Sequence, residues 1–360
     1  MGIKKVICII LVILLPSLIL FAGNGGKYLS TMNFLTIPTD AKSAGAGNTG
    51  IASSADPYSH YHNPAKYQFG DNEKCGASLF YSPWMHKSGV NDMGLYAVSG
   101  YRRFDSLQTV SASFRYFSLG KIEYFDDMAQ SSGMYGSYEL SFDAAYSRKL
   151  NNVLSAAIAM RYVHSSLMAS GTTSDNTGKG QAFVADVYLY YHKLIPLNAL
   201  PSTLTLGLGI TNLGAKISYG TGQSYFSPAQ LKLGGGFSMN MNSANKLAFM
   251  IDIRKMMVPT DSDDVDKTSL SGIVDSFSGG LSMQWALGAE YIYSNLFKAR
   301  IGYFSEPEKS GGRQCLSFGM GVRYQSICMD VAYLIPVSYT EHPMTNIIQV
   351  SLAVGFPWGK

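Results

Sequence analysis

The chain has 360 residues and a formal charge of +4, of which Lys4 and Lys5 contribute two units within a predicted leader. So balanced a charge excludes an electrostatic nucleic-acid binder, and the odd number of cysteines after the leader (Cys75, Cys315 and Cys328) argues against a disulfide framework. Charged residues make up only 14% and 24 residues are tyrosine, which suits aromatic girdles at two membrane interfaces better than a soluble core.

The amino terminus has the features of a secretory signal peptide. Lys4 and Lys5 precede an apolar run from Val6 to Phe21, and Leu20-Phe21-Ala22 is an acceptable signal-peptidase site. The sequence therefore predicts removal of residues 1–22. An uncleaved membrane anchor is the alternative, although the run is short for a permanent span.

Residues 23–74 lack strand alternation and are predicted to form an amino-terminal plug or hatch. The stretch is rich in Gly, Ala, Ser, Asn and Pro, with a small-residue helix or coil expected over residues 41–55 and a turn at Asn63-Pro64. A disordered periplasmic tail is the alternative. Disordered tails usually contain fewer large apolar and aromatic side chains than this segment does. Those present here are Phe34, Ile37, Tyr58, Tyr61, Tyr67 and Phe69.

From residue 75 to residue 360 the chain repeats segments of about ten residues in which apolar side chains alternate with small or charged ones. In the clearest segment every second residue from Leu316 to Tyr324 is large and apolar. The pattern predicts an all-β protein, a 14-stranded antiparallel transmembrane β-barrel in the outer membrane. The predicted strands begin near Cys75, Met93, Gln108, Ser137, Val153, Gly180, Thr203, Gln230, Lys246, Leu281, Phe297, Cys315, Ile327 and Ile347.

The predicted connections alternate between short and long. Bacterial barrels place short turns in the periplasm and long loops outside, so both barrel termini are expected in the periplasm. The expected outer loops are residues 118–136, 166–179, 215–229 and 256–280. The connection at residues 194–202 is of middling length and fits least well, and a misplaced strand there would invert part of the assignment.

Charges on the strands are expected to face the lumen, because a charge facing lipid at mid-bilayer costs about 2–4 kcal/mol. The residues that fall opposite a lipid-like row are Arg115, Asp143, Arg161, Asp186, Asp252, Arg254, Glu290, Arg300, Arg323 and Asp330. Both signs are present, which suits either a selective pore or a lumen closed by packed ion pairs. We favour the closed lumen, filled by the predicted plug, because fourteen strands enclose more space than their own side chains fill.

Three sequence patterns resemble nucleotide-binding, calcium-binding or catalytic motifs but lack the residues that those motifs need. Residues 45–50 spell G-x-G-x-x-G, but no strand precedes them and no βαβ unit follows. The acidic residues 261–266 lack the Gly and the final Glu of an EF-hand. The histidines show no metal spacing, and His164 beside Ser165 is the only local hint of a lipid hydrolase. The sequence predicts no enzyme, cofactor or metal site.

Residues 32–69 read MNFLTIPTDAKSAGAGNTGIASSADPYSHYHNPAKYQF and closely resemble the amino-terminal signature of the PorV family of the type IX secretion system in Bacteroidota. Similar stretches are YSPW at 81–84, RYFSLGKI at 115–122, AYSRKL at 145–150 and NLGAKIS at 212–218. The sequence departs from the family pattern at Lys42, Ala46 and His62, where Arg, Met and an aromatic residue are usual. The resemblance implies a FadL-related barrel that acts as a carrier without catalysis.

The resemblance also implies the partners. Carriers of this family take cargo bearing a type IX carboxy-terminal signal domain from the translocon and deliver it to the PorU sortase complex for attachment to lipopolysaccharide. Cargo contacts are expected on the outer loops, near Trp84, Tyr124, Phe125, Tyr135, Tyr225 and Phe226, unless these are girdle residues. The alternative function is a FadL-like uptake channel for hydrophobic small molecules, with the plug as a hatch.

Overall fold

A computed structural model describes residues 28–70, 73–84, 92–125, 130–167, 178–197, 200–220, 222–260, 267–277, 283–337 and 347–357. The predicted signal peptide and the acidic residues 261–266 lie outside this part of the chain. Among the described residues, no helix is both long and apolar enough to cross a membrane. Cys75, Cys315 and Cys328 are free, half-buried thiols.

Fourteen antiparallel strands form one closed barrel, which confirms the predicted fold class. Consecutive barrel strands pair with one another, and β1 pairs with β16 to close the ring. The barrel strands are β1 (Glu73–Pro83), β2 (Met93–Arg103), β3 (Gln108–Phe125), β4 (Ser131–Lys149), β5 (Leu154–Ser166), β6 (Lys179–Leu197), β7 (Leu200–Gly214), β10 (Gln230–Asn240), β11 (Asn245–Met256), β12 (Met283–Tyr293), β13 (Phe297–Ser305), β14 (Gln314–Tyr324), β15 (Ile327–Pro336) and β16 (Ile347–Pro357). Between β7 and β10, β8 (Ile217–Ser218) and β9 (Ser224–Tyr225) pair as a separate sheet.

The strands bury one row of side chains and expose the other. In β5, Ala157, Ala159 and Arg161 are buried, whereas Ile158 and Met160 point outward and are exposed. Alternation with period two is what a wall between lipid and an enclosed interior requires, because successive residues of a strand face opposite sides. The large exposed side chains are therefore the hydrocarbon-facing surface.

The connections define a short-turn end and a long-loop end. Both barrel termini, at Glu73 and Pro357, lie together at the short-turn end. The connection at residues 194–202 is also a short turn, because β6 continues to Leu197 and β7 starts at Leu200. The prediction of a loop over residues 118–136 is wrong for most of that range, since β3 and β4 run on as a paired hairpin past a register shift after Ser118. The connection between β11 and β12 contains helix α3 (Ser269–Asp275).

Residues 28–70 run through the barrel interior from the long-loop end to the short-turn end, and we call them the plug. The Leu29 amide donates to the Pro259 carbonyl at the long-loop end, and Arg103 at the short-turn end donates to the Gly70 carbonyl. Helices α1 (Ala41–Gly45) and α2 (Ser59–His62) are short. Asp40 caps α1 by accepting from the Ser43 amide at 2.6 Å, as a helix start prefers.

Candidate functional site

The plug lies against the wall backbone to backbone, at glycines on both sides. A Cβ on Gly45 would come within 2.6 Å of the Gly319 Cα, and a Cβ on Gly302 would overlap the backbone of Gly47. Gly47 also has a φ of +70°, which side-chain-bearing residues rarely adopt. The G-x-G-x-x-G pattern therefore serves close packing, and the Gly47 amide donates to Ser317 Oγ on β14 at 2.9 Å.

The plug is also hydrogen-bonded to strands around the ring. On one side the Ala41 amide donates to Ser351 Oγ on β16 at 2.7 Å. On the opposite side Ser155 Oγ on β5 donates to the Ala65 carbonyl at 2.7 Å, and Thr205 Oγ1 on β7 donates to the Ala52 carbonyl at 2.6 Å. Contacts in so many directions hold the plug as part of the folded interior.

One buried ion-pair network joins strands β3 to β7. Asp143 binds Arg115 at 3.2 Å and also accepts from Arg161, which reaches Asp186 at 3.0 Å. Asp186 in turn accepts from the Asn212 amide at 2.6 Å. Removing one member of such a buried network leaves an uncompensated charge, so the network fixes the interior geometry strongly.

A second set of charges links the wall to the plug. Arg300 pairs with Glu290 at 3.2 Å and with Asp330 at 2.7 Å, and the plug residue Tyr58 donates to Asp330 at 3.0 Å. On β11, Asp252 accepts from the Gly50 and Ile51 amides at 2.8 and 3.1 Å. Wall carboxylates thus hold plug backbone and side chains directly.

The plug has an internal partner for the side chain at two of the positions that depart from the family pattern, an ion pair at Lys42 and a hydrogen bond at His62. Lys42 pairs with Asp56 at 2.6 Å, and although burial raises the pKa of Asp56, the charges of Lys42 and Lys66 bring it well below its usual range. His62 Nε2 lies 2.7 Å from Asp40 Oδ2. Burial lowers the pKa of His62, which indicates a neutral imidazole that donates to an ionised Asp40.

Nine of the ten charged residues predicted to face the lumen are buried. Eight of them form the bonds described above, and the ninth, Arg254, pairs with Asp252 at 3.3 Å. The exception is Arg323, which is partly exposed near the short-turn end and binds Glu73. Sequence reasoning did not include Glu139, Lys232 and Lys255, which are also buried. The same alternation could have found Lys232, because Leu231 and Leu233 flank it.

The six aromatic residues predicted near cargo contacts occupy different places. Trp84 and Phe226 are buried, and Trp84 packs edge-on against Phe117 with ring centroids 5.1 Å apart. Tyr225 is half-buried. The side chains of the other three lie outside the described part of the structure, and these are Tyr124, Phe125 and Tyr135. Trp84 and Phe226 therefore support the long-loop end from inside in this conformation, and cargo contact at any of the six stays a prediction.

Helix α3 presents an apolar surface that sequence reasoning missed. Leu270, Val274 and Phe277 are 77%, 68% and 47% exposed, and we call them the α3 face. The other side of the helix packs closely, since a Cβ on Gly272 would lie 2.7 Å from the Phe226 ring. Two features of the sequence could have predicted this helix and its apolar side. Leu270 and Val274 are four residues apart and so share one side of a helix, and Thr268 is a favourable N-cap.

A closed barrel of fourteen antiparallel strands with an internal plug defines a class of outer-membrane β-barrel proteins, and solved structures share the fold. The Pseudomonas putida toluene transporter TodX is similar with a TM-score of 0.54 at 12% identity, covering 89% of this chain and 99% of that one. The Ralstonia pickettii toluene transporter TbuX is similar with a TM-score of 0.50 at 13% identity, covering 88% and 97%. A search of curated proteins found no match.

The family is shown by the sequence. Residues 26–263 match the family described as type IX secretion system protein PorV, and this is more than half of the chain. The chain belongs to the PorV family, which confirms the resemblance noted above. It is an outer-membrane β-barrel component of the type IX secretion system, and its family consists of secretion components rather than known enzymes.

Proposed function

We propose that this protein is a non-enzymatic carrier that binds type IX cargo through the carboxy-terminal signal domain and passes it from the translocon to the PorU attachment complex. Family membership supports a role in type IX secretion. The carrier role is supported by the position of the plug, which spans the lumen and is hydrogen-bonded to the wall on opposite sides. Partner binding then falls to the ends and outer surface of the barrel.

The α3 face is the observation that carries this proposal. It lies in a connection at the long-loop end, and its three large apolar side chains are exposed within the described residues, with the Phe277 ring also 5.1 Å from Lys255 Nζ. Exposed apolar patches of this kind mark interaction sites more often than chance. Covering exposed leucine and phenylalanine side chains with a partner removes apolar surface from water and therefore favours binding. A cargo signal domain is the partner that the proposed function requires there.

The test compares the replacement of exposed apolar side chains by Asp at opposite ends of the barrel. The double variant Leu270→Asp/Val274→Asp should lower the recovery of signal-bearing secreted proteins at least about tenfold in a pull-down in mild detergent, which is about 1.4 kcal/mol of binding. Leu194→Asp changes a leucine that is 73% exposed at the short-turn end and should leave recovery unchanged. Equal recovery by all three proteins would rule out the α3 face.

The orientation belongs to the same proposal, which places both barrel termini in the periplasm and α3 outside. Ser271 on α3 and Ser243 in the β10–β11 turn are both exposed. In a background without the three native thiols, a membrane-impermeant maleimide should label Ser271→Cys in intact cells and Ser243→Cys only after lysis. The reverse pattern would invert the orientation.

An uptake channel for hydrophobic small molecules is the second candidate, favoured by the similarity in fold to the two toluene transporters. The recess in the lumen beside Phe69, Tyr190 and His192 holds only about 70 Å³, whereas pockets for ligands of drug size measure about 300–1,000 Å³. A cleft of about 410 Å³ lies between the turns at the short-turn end, where Leu200, Asn242 and Asn295 line it. A deletion strain separates the two functions. Loss of a carrier should strand signal-bearing proteins in the periplasm, whereas loss of a channel should impair growth on an apolar nutrient.

A further inference from the structure

The ring of the plug residue Tyr61 lies close to basic side chains from two wall strands. The Arg115 guanidinium on β3 lies 5.2 Å from the Tyr61 ring centroid, and Lys232 Nζ on β10 lies 5.3 Å from it. Arg254 on β11 is the direct cross-strand partner of Lys232. We call Arg115, Lys232 and Arg254 the cation cluster. Like charges directly opposite on neighbouring strands repel, so this arrangement needs compensation.

The cation cluster is buried and has donors without acceptors. Arg115, Lys232 and Arg254 are 2%, 4% and 5% exposed. Arg115 Nε, Arg115 Nη1 and Arg254 Nε have no hydrogen-bond partner, and among the described residues no carboxylate lies within 4 Å of Lys232 Nζ. Leaving buried charged donors unsatisfied is strongly unfavourable, because they lose their hydrogen bonds to water without gaining others. The aromatic ring of Tyr61 offsets only part of that cost.

The nearby carboxylates are already engaged. Asp143 accepts from Ser113, Arg115 and Arg161, and Asp186 accepts from Arg161, Tyr188 and Asn212. Asp252 accepts from Arg254 and from two plug amides, so the three carboxylates nearest the cation cluster are all in use. Arg115 Nε, Arg115 Nη1 and Arg254 Nε therefore need water or an anion as acceptor.

We propose that the cation cluster binds one small inorganic anion, of which chloride is the simplest, beside the Tyr61 ring. The anion accepts from the unpartnered N–H groups and favours the charged form of Lys232. Because Arg115, Lys232 and Arg254 come from three strands and Tyr61 from the plug, the bound anion ties the plug to that side of the wall. This site is independent of cargo binding at the α3 face.

The first test compares salts with the full-length protein in detergent. Protein purified throughout in sodium chloride should unfold about 2–4 °C higher than protein purified in sodium gluconate at the same concentration, because only chloride is small enough to enter the buried site. In crystals grown with sodium bromide, an anomalous peak should lie beside Tyr61. Equal unfolding temperatures and no bromide peak would overturn the proposal, since water would then fill the site.

Two lysine variants separate the site from general salt effects. Lys232→Met should abolish the difference between chloride and gluconate, because it removes one of the three basic groups that hold the anion. Lys42→Met removes a buried lysine that has its own carboxylate partner at 2.6 Å and should keep the difference, even though it is less stable. A chloride effect that persists in Lys232→Met would contradict the proposed site.

Discussion

Asp143 is a residue whose single change should strongly disturb the interior. It is fully buried and accepts from both Arg115 and Arg161. Asp143→Asn keeps the shape and removes the charge, so we expect a loss of about 3 kcal/mol or more in the free energy of unfolding. Asp275→Asn is the control, because its pair with Lys267 at 2.8 Å is solvent-exposed and should contribute little to stability. Urea unfolding of both variants in detergent checks the difference.

His60 should make the plug sensitive to acid. Burial lowers the pKa of His60 to about 4, whereas the unfolded chain titrates near 6.5. Between these values the unfolded state binds more protons, so the stabilisation from a neutral His60 is fully present above pH 6.5 and is lost as pH falls towards 4. His60→Asn should flatten the decline of stability in this interval by up to about 3 kcal/mol. Unfolding curves from pH 4 to pH 7 that run parallel for both proteins would refute this.

Single residues could be assigned to the inner face from sequence, but their partners could not. The cost of a charge in lipid was enough to select Asp143 and Arg161 as inward residues. Their pairing follows from the register between β4 and β5, which sets them directly opposite each other. The hydrogen bond from Tyr58 to Asp330 joins two residues that are 272 positions apart in the chain. No periodicity in the sequence contains that information.

At the scale of elements, the contact of α1 and its following turn with β12 to β14 depends on glycine. Gly302→Ala would place a methyl group on the backbone of Gly47, which has no side chain to move aside. We expect overpacking to cost about 1–3 kcal/mol and to make the plug more accessible to protease. Gly235→Ala is the matched control, because its Cβ would meet only the Ile251 side chain at 3.4 Å. Limited proteolysis of both variants would reveal whether the plug loosens.

Most strand starts could be read from the alternation, and β2, β3, β10, β13, β15 and β16 begin at the residues expected. The start of β4 is the largest error, because the strand begins at Ser131 rather than near Ser137. Glycines at 120, 133 and 136 weaken the propensity there, yet pairing with β3 extends the hairpin. Cross-strand pairing is a tertiary property that single-sequence patterns do not carry.

At the scale of the whole molecule, the outward row should behave as a lipid-facing surface. Met160 lies at the middle of β5 and is 65% exposed, whereas Leu194 is 73% exposed on a part of β6 that extends beyond β5. Met160→Arg should therefore destabilise the barrel by about 2–4 kcal/mol, and Leu194→Arg by about 1 kcal/mol or less. Unfolding in lipid vesicles measures both, and equal losses would show that the hydrocarbon layer is not where we place it.

The route of the plug constrains how the molecule is built. Residue 70 leaves the lumen just before β1 begins at Glu73, and β1 closes the ring by pairing with β16, the last strand made. A ring that closed empty would have to admit this segment afterwards by threading it lengthwise. Biogenesis is simpler if the earliest part of the chain already lies across the unfinished sheet when its two edges meet. The half-assembled, open-sided intermediate would then be the stage at which quality-control proteases of the envelope can cut this segment.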